Sequence, residues 1–138
     1  MLPRGNGETV MIVDDEPALV ELAEEITAGL GYEPVGFASS SAALHAFQAA
    51  PDRFDVVLTD ESMPEMLGTE FAREIRRIRP SVPIIVMSGY GGPQLANQAG
   101  EIGVNALLRK PLHSRDLAES LARVLKTVHC DGIGDDDA

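Results

Sequence analysis

Polar side chains that can do chemistry follow four short aliphatic runs of the chain, at the points where β-strands would end. They are Asp14 and Asp15, Asp60, Ser88 and Lys110. In a doubly wound parallel sheet, right-handed crossovers bring the carboxyl ends of all strands to one edge. We therefore expect three carboxylates, a hydroxyl and one ammonium group to lie close together.

Three neighbouring carboxylates need a compensating charge. They repel one another at neutral pH unless their pKa values rise or a cation binds among them. Mg²⁺ prefers a few carboxylates together with water and phosphate oxygens. Zinc fits less well, because neither His45 nor His113 has a second His or Cys at metal-binding spacing. The acids therefore predict a Mg²⁺ site.

Phosphoryl transfer is the reaction that this set of groups would support. A metal ion and the Lys110 ammonium can neutralise phosphoryl oxygens, Ser88 can donate a hydrogen bond to them, and a carboxylate can attack phosphorus in line. The product is an acyl phosphate. We expect Asp60 to be the nucleophile, because it ends the central run Val56–Leu58, whereas the adjacent pair Asp14 and Asp15 is better suited to holding metal.

The elements that must position these residues alternate between strand-like and helix-like patterns five times. Continuous or short apolar runs predict strands at Val10–Val13, Glu33–Phe37, Asp55–Thr59, Ile84–Met87 and Ala106–Leu108. The segments between and after them carry apolar residues at helical spacing, the last from near Ser114 to Val128. The fourth helix, about Pro93 to Glu101, has a weak apolar face between glycines and is a candidate mobile element. This alternation is typical of an α/β protein with a parallel sheet.

Composition and charge limit the possible partners. The 138 residues match one domain, and the net charge of −11 argues against direct binding to nucleic acid or to an anionic membrane. We expect no secretory signal and no membrane insertion, because no apolar run is long enough. The single Cys130 fits a reducing compartment. These features together predict a cytoplasmic protein.

Several stretches, in this order along the chain, resemble the signature of response-regulator receiver domains of two-component and phosphorelay signalling. They are Ile12-Val13-Asp14-Asp15-Glu16, then Leu58-Thr59-Asp60 with Met63-Pro64 and Gly68 behind it, Met87-Ser88-Gly89, and Lys110-Pro111. Each stretch alone is weak, but all of them at the predicted strand exits make a specific match. The resemblance implies a flavodoxin-like (βα)5 sheet of strand order 2-1-3-4-5 with helices on both faces. It spans residues 9–128 as a receiver domain and leaves an N-terminal extension over residues 1–8. The acidic, polar composition after the last helix predicts a disordered tail over 129–138.

The resemblance also assigns roles to individual residues. Asp60 would accept a phosphoryl group from a histidine kinase or a histidine phosphotransfer protein. Asp15 would be the main Mg²⁺ ligand, with Asp14 assisting through water, Asp60 as a further ligand and Ser62 offering its backbone carbonyl. Ser88 would be the switch hydroxyl, and Lys110 would bind phosphate, oriented by a cis peptide bond to Pro111. The chain would be a signalling phosphoacceptor that assists its own phosphorylation and dephosphorylation, and not an enzyme with a separate substrate.

One position departs from the family pattern. Leu107 stands where the family usually has a Tyr or Phe that changes rotamer with the switch hydroxyl. We therefore expect the loop after Ser88 to report phosphorylation, since Gly89, Gly91 and Gly92 give it backbone freedom. The segments around Ser88 and Lys110 resemble receivers of hybrid sensor histidine kinases. No DNA-binding or enzymatic segment follows Val128, so the sequence leaves a stand-alone regulator and one module of a larger protein both open.

Other functions and local explanations compete with this interpretation. A phosphatase with an Asp nucleophile would have a second Asp two residues later, where this chain has Ser62. A flavodoxin-like cofactor binder would have a phosphate-binding loop after the first strand, where this chain has three acids. A receiver that no longer accepts phosphate would lack some of the acids or the lysine.

We also expect the arginines of the third helix to form a solvated face paired with glutamates. These arginines are Arg73, Arg76, Arg77 and Arg79.

Overall fold

A computed structural model describes residues 2–89 and 91–133, with side chains up to residue 126. Its strands are β1 (Thr9–Val13), β2 (Glu33–Phe37), β3 (Val56–Asp60), β4 (Ile84–Ser88) and β5 (Ala106–Arg109). Its helices are α1 (Pro17–Gly29), α2 (Ser40–Ala49), α3 (Gly68–Ile78), α4 (Pro93–Ile102) and α5 (Ser114–Ile133), with a short 3₁₀ turn at Pro51–Arg53. The strands form one sheet of order β2-β1-β3-β4-β5, and all neighbours are parallel. The predicted fold class and strand order are confirmed.

Helices cover both faces of the sheet, which explains why the central strands are continuously apolar. Alternate residues of β1, β3 and β4 point to opposite faces. One set packs with Ala23 of α1 and with Leu117 and Leu121 of α5. The other set packs with Phe47 of α2 and Phe71 of α3. Two cores therefore hold the three central strands, and two of these strands, β1 and β3, lead to the acids at their carboxyl ends.

Helix ends follow the local chemistry of the sequence. Ser39 caps α2, because its Oγ accepts a hydrogen bond from the backbone N–H of Ala42. Gly103 ends α4 in the left-handed region with φ of 89°. The segment before β1 is tied to the turn after α1, where the N–H groups of Gly5 and Gly7 donate to the carbonyls of Leu30 and Gly31.

The last helix is longer than predicted. The backbone of α5 stays helical to Ile133, five residues beyond the predicted end at Val128. Its last turns contain Gly132 but no proline, and one glycine costs a helix only about 1 kcal/mol. Residues 129–133 of the predicted tail are therefore helical, and its last five residues lie outside the described part of the chain.

The predicted solvated arginine face of α3 is wrong for two of its members. Arg76 is half-buried and donates to the carbonyls of Val82 and Gly103 and to Oδ1 of Asn105. Arg79 donates to the carbonyls of Pro51 and Phe54. Both side chains satisfy carbonyls of loops at the end of the sheet opposite the acids. Helical spacing could not show this, because the acceptors lie in distant loops.

No helix in the described residues combines the length and the apolar character needed to cross a bilayer.

Candidate functional site

The acids and the lysine meet at the carboxyl edge of the sheet, as predicted. The register pairs Val13 with Thr59 and Asp60 with Met87, so β1, β3 and β4 end almost level. Asp14 follows β1 directly, and Asp60 is the last residue of β3. Lys110 follows β5, and its backbone N–H donates to the Ser88 carbonyl at 3.0 Å. Backbone hydrogen bonds between the strands thus set the positions of the Cα atoms from which these side chains extend.

Lys110 forms ion pairs with two carboxylates at once. Its Nζ lies 2.9 Å from Oδ2 of Asp14 and 2.9 Å from Oδ1 of Asp60. The side chains of Asp14 and Asp60 are 3% and 5% exposed, and that of Lys110 is 23% exposed. Screening by water is weak at such burial, so these contacts set the charge balance of the site.

Burial and the shared lysine act on the pKa values in opposite directions. Burial raises the pKa of Asp60 above its usual value, and the hydrogen bond from Lys110 offsets only part of this effect. Burial alone would lower the pKa of Lys110, but its hydrogen bonds to Asp14 and Asp60 raise the pKa overall. The lysine therefore stays protonated. Its single positive charge is shared between two carboxylates and does not fully offset the effect of burial on the pKa of Asp60.

A third carboxylate completes a set that fits Mg²⁺. Asp14, Asp15 and Asp60 each offer an oxygen, and these oxygens all lie within 4.8 Å of one another. The set contains only hard oxygen donors, as Mg²⁺ requires. It also carries three negative charges against one lysine, so a divalent cation would improve the charge balance.

An opening of about 370 Å³ gives access to this set. Ser62 lies on its wall, together with Glu16 and Gly89, neither of which was predicted to line the site. Glu16 follows the acidic pair directly, and its N–H donates to Oδ1 of Asp14 at 3.0 Å. The adjacency in sequence was the available signal for Glu16.

Ser88 does not line the same opening as the acids. It is buried, and it borders a neighbouring opening of about 220 Å³ between β5 and the start of α4. The wall there includes Gly91, Gly92, Leu95 and Leu107. Leu107 is 42% exposed, so the position of the missing aromatic ring is open to solvent.

The loop from β3 to α3 is held against the site by two local contacts. Gly68 approaches the Asp60 carbonyl so closely that a Cβ atom at this position would lie 2.2 Å from the oxygen. Glu61 accepts hydrogen bonds from the N–H of Thr69 at 2.7 Å and from its Oγ1 at 3.1 Å. Burial raises the pKa of Glu61, and the bonds from Thr69 oppose the rise. Glu61 had no predicted role, although its position directly after Asp60 in the sequence could have indicated that it belongs to the site.

The peptide bond between Lys110 and Pro111 is cis, as predicted. Beside it, Leu19 and Leu22 of α1 and Leu112 border a mainly apolar cleft of about 380 Å³ that reaches Asp14 and Lys110. The helical spacing of α1 gave no sign of this cleft, because it forms only when α1 and the segment after β5 come together.

The chain is similar to proteins of one family. The model of the response regulator receiver domain matches residues 10–122. The chemotaxis protein CheY of Thermotoga maritima is 31% identical over 121 residues, which cover 87% of this chain and 99% of that protein. The transcriptional regulatory protein ZraR of Escherichia coli is 30% identical over 120 residues, which cover 87% of this chain. The chain spans only 27% of ZraR, about a quarter of the length of the curated relatives first matched.

Solved structures give the same result. A CheY-like receiver domain from Methanospirillum hungatei superposes with a TM-score of 0.84 at 28% identity, covering 91% of this chain and 99% of that one. A receiver domain from Clostridium thermocellum gives 0.83 at 28% identity, covering 87% and 95%. The match over most of the sequence, the strand order and the acid cluster agree, and the chain belongs to the response regulator receiver domain family.

Proposed function

We propose that Asp60 accepts a phosphoryl group from the phosphohistidine of a histidine kinase or a histidine phosphotransfer protein, in a reaction that requires Mg²⁺. One observation carries this proposal: the Lys110 ammonium contacts both Asp60 and Asp14 at 2.9 Å, beside a third carboxylate from Asp15. A carboxylate at a strand exit, next to a fixed cation and a set of metal-binding oxygens, is equipped for phosphoryl transfer.

In the transfer step, an Oδ atom of Asp60 attacks phosphorus while the bond from phosphorus to the donor's imidazole nitrogen breaks. The electron pair of that bond stays on the nitrogen, so the donor leaves as histidine and Asp60 becomes an acyl phosphate. Lys110 keeps its proton throughout, and its ammonium balances charge that moves onto the phosphoryl oxygens.

Asp14, Asp15, Asp60 and the backbone carbonyl of Ser62 would hold the Mg²⁺ ion. Bound there, the ion would neutralise phosphoryl oxygens and the crowded carboxylates. Ser88 would then donate a hydrogen bond to a phosphoryl oxygen. Ser88 lines the neighbouring opening, and we propose that the segment after β4 moves toward Asp60 as this contact forms.

The movement of that segment is the proposed output signal. A Cβ atom at Gly89 or Gly92 would meet nothing within 4 Å, so little packing restrains the loop there. Hydrogen exchange of the loop and of α4 should change when beryllofluoride mimics the acyl phosphate. Unchanged exchange rates would assign the signal to another element.

Turnover as a phosphatase is disfavoured, because Ser62 stands where a second acid would act on the leaving group. We therefore propose a signalling phosphoacceptor that carries one phosphoryl group at a time. A histidine kinase donor would draw on cytoplasmic ATP, so we also propose a cytoplasmic location. Many phosphates released per chain from an aryl phosphate would contradict this proposal.

The function can be tested with acetyl phosphate as donor. Intact-mass measurement should show one added phosphoryl group in the presence of Mg²⁺ and none with a chelator. Asp60→Asn and Asp15→Asn should abolish the gain, whereas the control Asp52→Asn, an exposed acid in the turn before β3, should retain it. A gain that survives Asp60→Asn, or that is independent of metal, would refute the proposal.

A further inference from the structure

We propose that Glu65 is a positioning residue for the metal site: its carboxylate fixes the segment of residues 62–66 against the start of α2 and so places the Ser62 carbonyl. This inference rests on the proposed function, in which that carbonyl helps to hold Mg²⁺. Glu65 itself does not line the opening to the acids.

The carboxylate of Glu65 is bound by three consecutive serines that are more than twenty residues away in sequence. Its Oε1 accepts hydrogen bonds from Ser40 Oγ at 3.0 Å, from Ser39 Oγ at 3.1 Å and from the backbone N–H of Ser41 at 3.2 Å. Ser41 Oγ contacts both carboxylate oxygens at 3.4 Å. A negative charge at the N-terminus of a helix is also favoured by the helix dipole.

The segment that Glu65 tethers has little else to hold it. In the described chain, no backbone-to-backbone hydrogen bond involves residues 62–66. The neighbouring bonds lie outside the segment, from Gly68 N–H to the Glu61 carbonyl and from Leu67 N–H to Glu70. Met63, buried in the core of the α2 and α3 face, and Met66, partly buried against the same core, are its other side-chain anchors. The position of the Ser62 carbonyl therefore depends on Met63 next to it and on Glu65 and Met66 beyond it.

Capping of α2 does not explain these contacts by itself. Ser39 already caps the helix through the Ala42 N–H. The hydrogen bonds from Ser41, Ser40 and Ser39 lower the pKa of Glu65, so its acceptor is a full carboxylate at neutral pH. What the carboxylate adds is a connection between the exit of β2 and the loop that follows Asp60.

The test compares Mg²⁺ affinity among matched variants of the full chain, measured by titration calorimetry without phosphate. Glu65→Ala removes the acceptor, whereas Glu65→Gln retains an acceptor oxygen at the same place. Glu25→Ala on the exposed side of α1 is the control, because it removes the same charge far from the site. Outer-shell partners of metal ligands are worth about 10- to 100-fold in affinity, and we expect the low end, about tenfold, for Glu65→Ala. Glu65→Gln should recover most of that loss.

A second readout separates positioning from general destabilisation. Hydrogen exchange should speed up at the bonded amides beside the segment, those of Leu67 and Gly68, in Glu65→Ala, while the core strands keep their protection. Ser40→Ala should weaken Mg²⁺ binding in the same direction, and combining it with Glu65→Ala should add less than the sum of the two effects.

The outcomes distinguish this inference from the proposed function. A difference in Mg²⁺ affinity of less than about twofold between Glu65→Ala and the Glu25→Ala control is far below what such partners usually contribute. That result would refute the positioning role. If Asp15→Asn also binds Mg²⁺ like the wild type, the proposed metal site itself fails. Loss of binding in Asp15→Asn together with retained binding in Glu65→Ala would refute the positioning role alone.

Discussion

Replacing Gly68 by alanine should damage both the stability and the phosphoryl acceptance of the domain. The added Cβ would lie 2.2 Å from the Asp60 carbonyl oxygen and 2.9 Å from the carbonyl carbon. Both are backbone atoms of β3, so no flexible side chain can move aside. Either α3 or the end of β3 must shift by most of an ångström, which moves the residue proposed to accept the phosphoryl group.

The expected loss of stability follows from three contributions. Forcing extra atoms into a packed site costs about 1–3 kcal/mol. The same shift weakens the hydrogen bond from Gly68 N–H to the Glu61 carbonyl, now 2.9 Å, at a cost of about 1 kcal/mol. Alanine in place of glycine in a helix returns at most about 1 kcal/mol. The free energy of unfolding should therefore fall by roughly 1–3 kcal/mol.

Urea unfolding and the rate of phosphorylation by acetyl phosphate would measure the two effects. Gly100→Ala is the matched control, because Gly100 lies in α4 and an added Cβ would meet nothing within 4 Å. The control should be neutral or slightly stabilising and should react like the wild type. If Gly68→Ala unfolds within about 0.5 kcal/mol of the wild type and is phosphorylated at the same rate, the close approach does not constrain the site.

Three further predictions concern charged groups. Lys110→Ala leaves two buried carboxylates without their cation, so the free energy of unfolding measured in a chelator should fall by about 2–4 kcal/mol, and Mg²⁺ should restore part of this loss. An unchanged free energy of urea unfolding would contradict a stabilising role of the ion pairs. Arg76→Ala removes donors to three acceptors and should destabilise by about 2–3 kcal/mol, whereas the exposed Arg77→Ala should change stability by under about 0.5 kcal/mol. The pKa of Glu65 is lower in the folded chain than its ordinary 4.5, so its carboxylate stabilises the fold at neutral pH. That contribution disappears as the pH falls through the folded pKa, and the gap in unfolding free energy between wild type and Glu65→Gln should close there.

The fold, and the meeting of Asp14, Asp60 and Lys110 at one edge of the sheet, could be predicted from the sequence because both depend on local patterns. Strands buried on two faces are continuously apolar, and the polar residue that ends each run marks the carboxyl edge of the sheet. This placed Asp14, Asp60 and Lys110 together before any distance was known. β3, β4 and β5 each end one residue later than predicted, which leaves this placement unchanged because the register keeps the exits level.

What the sequence could not predict depends on contacts between distant segments. Arg76 and Arg79 lie on a helix face that looks solvated, and their carbonyl acceptors belong to loops elsewhere in the chain. Glu65 looks like an ordinary loop acid until the fold brings α2 beside it. Ser88 is the last residue of β4, one position later than the predicted strand end, but the separation of its opening from that of the acids is a property of packing.

The most direct test of the account is to locate the phosphoryl group on the chain. After reaction with acetyl phosphate and Mg²⁺, borohydride reduction converts an aspartyl phosphate to homoserine, and tandem mass spectrometry of peptides identifies the altered residue. We expect homoserine at position 60 and at no other aspartate. Conversion at Asp14 or Asp15 with Asp60 intact would contradict it.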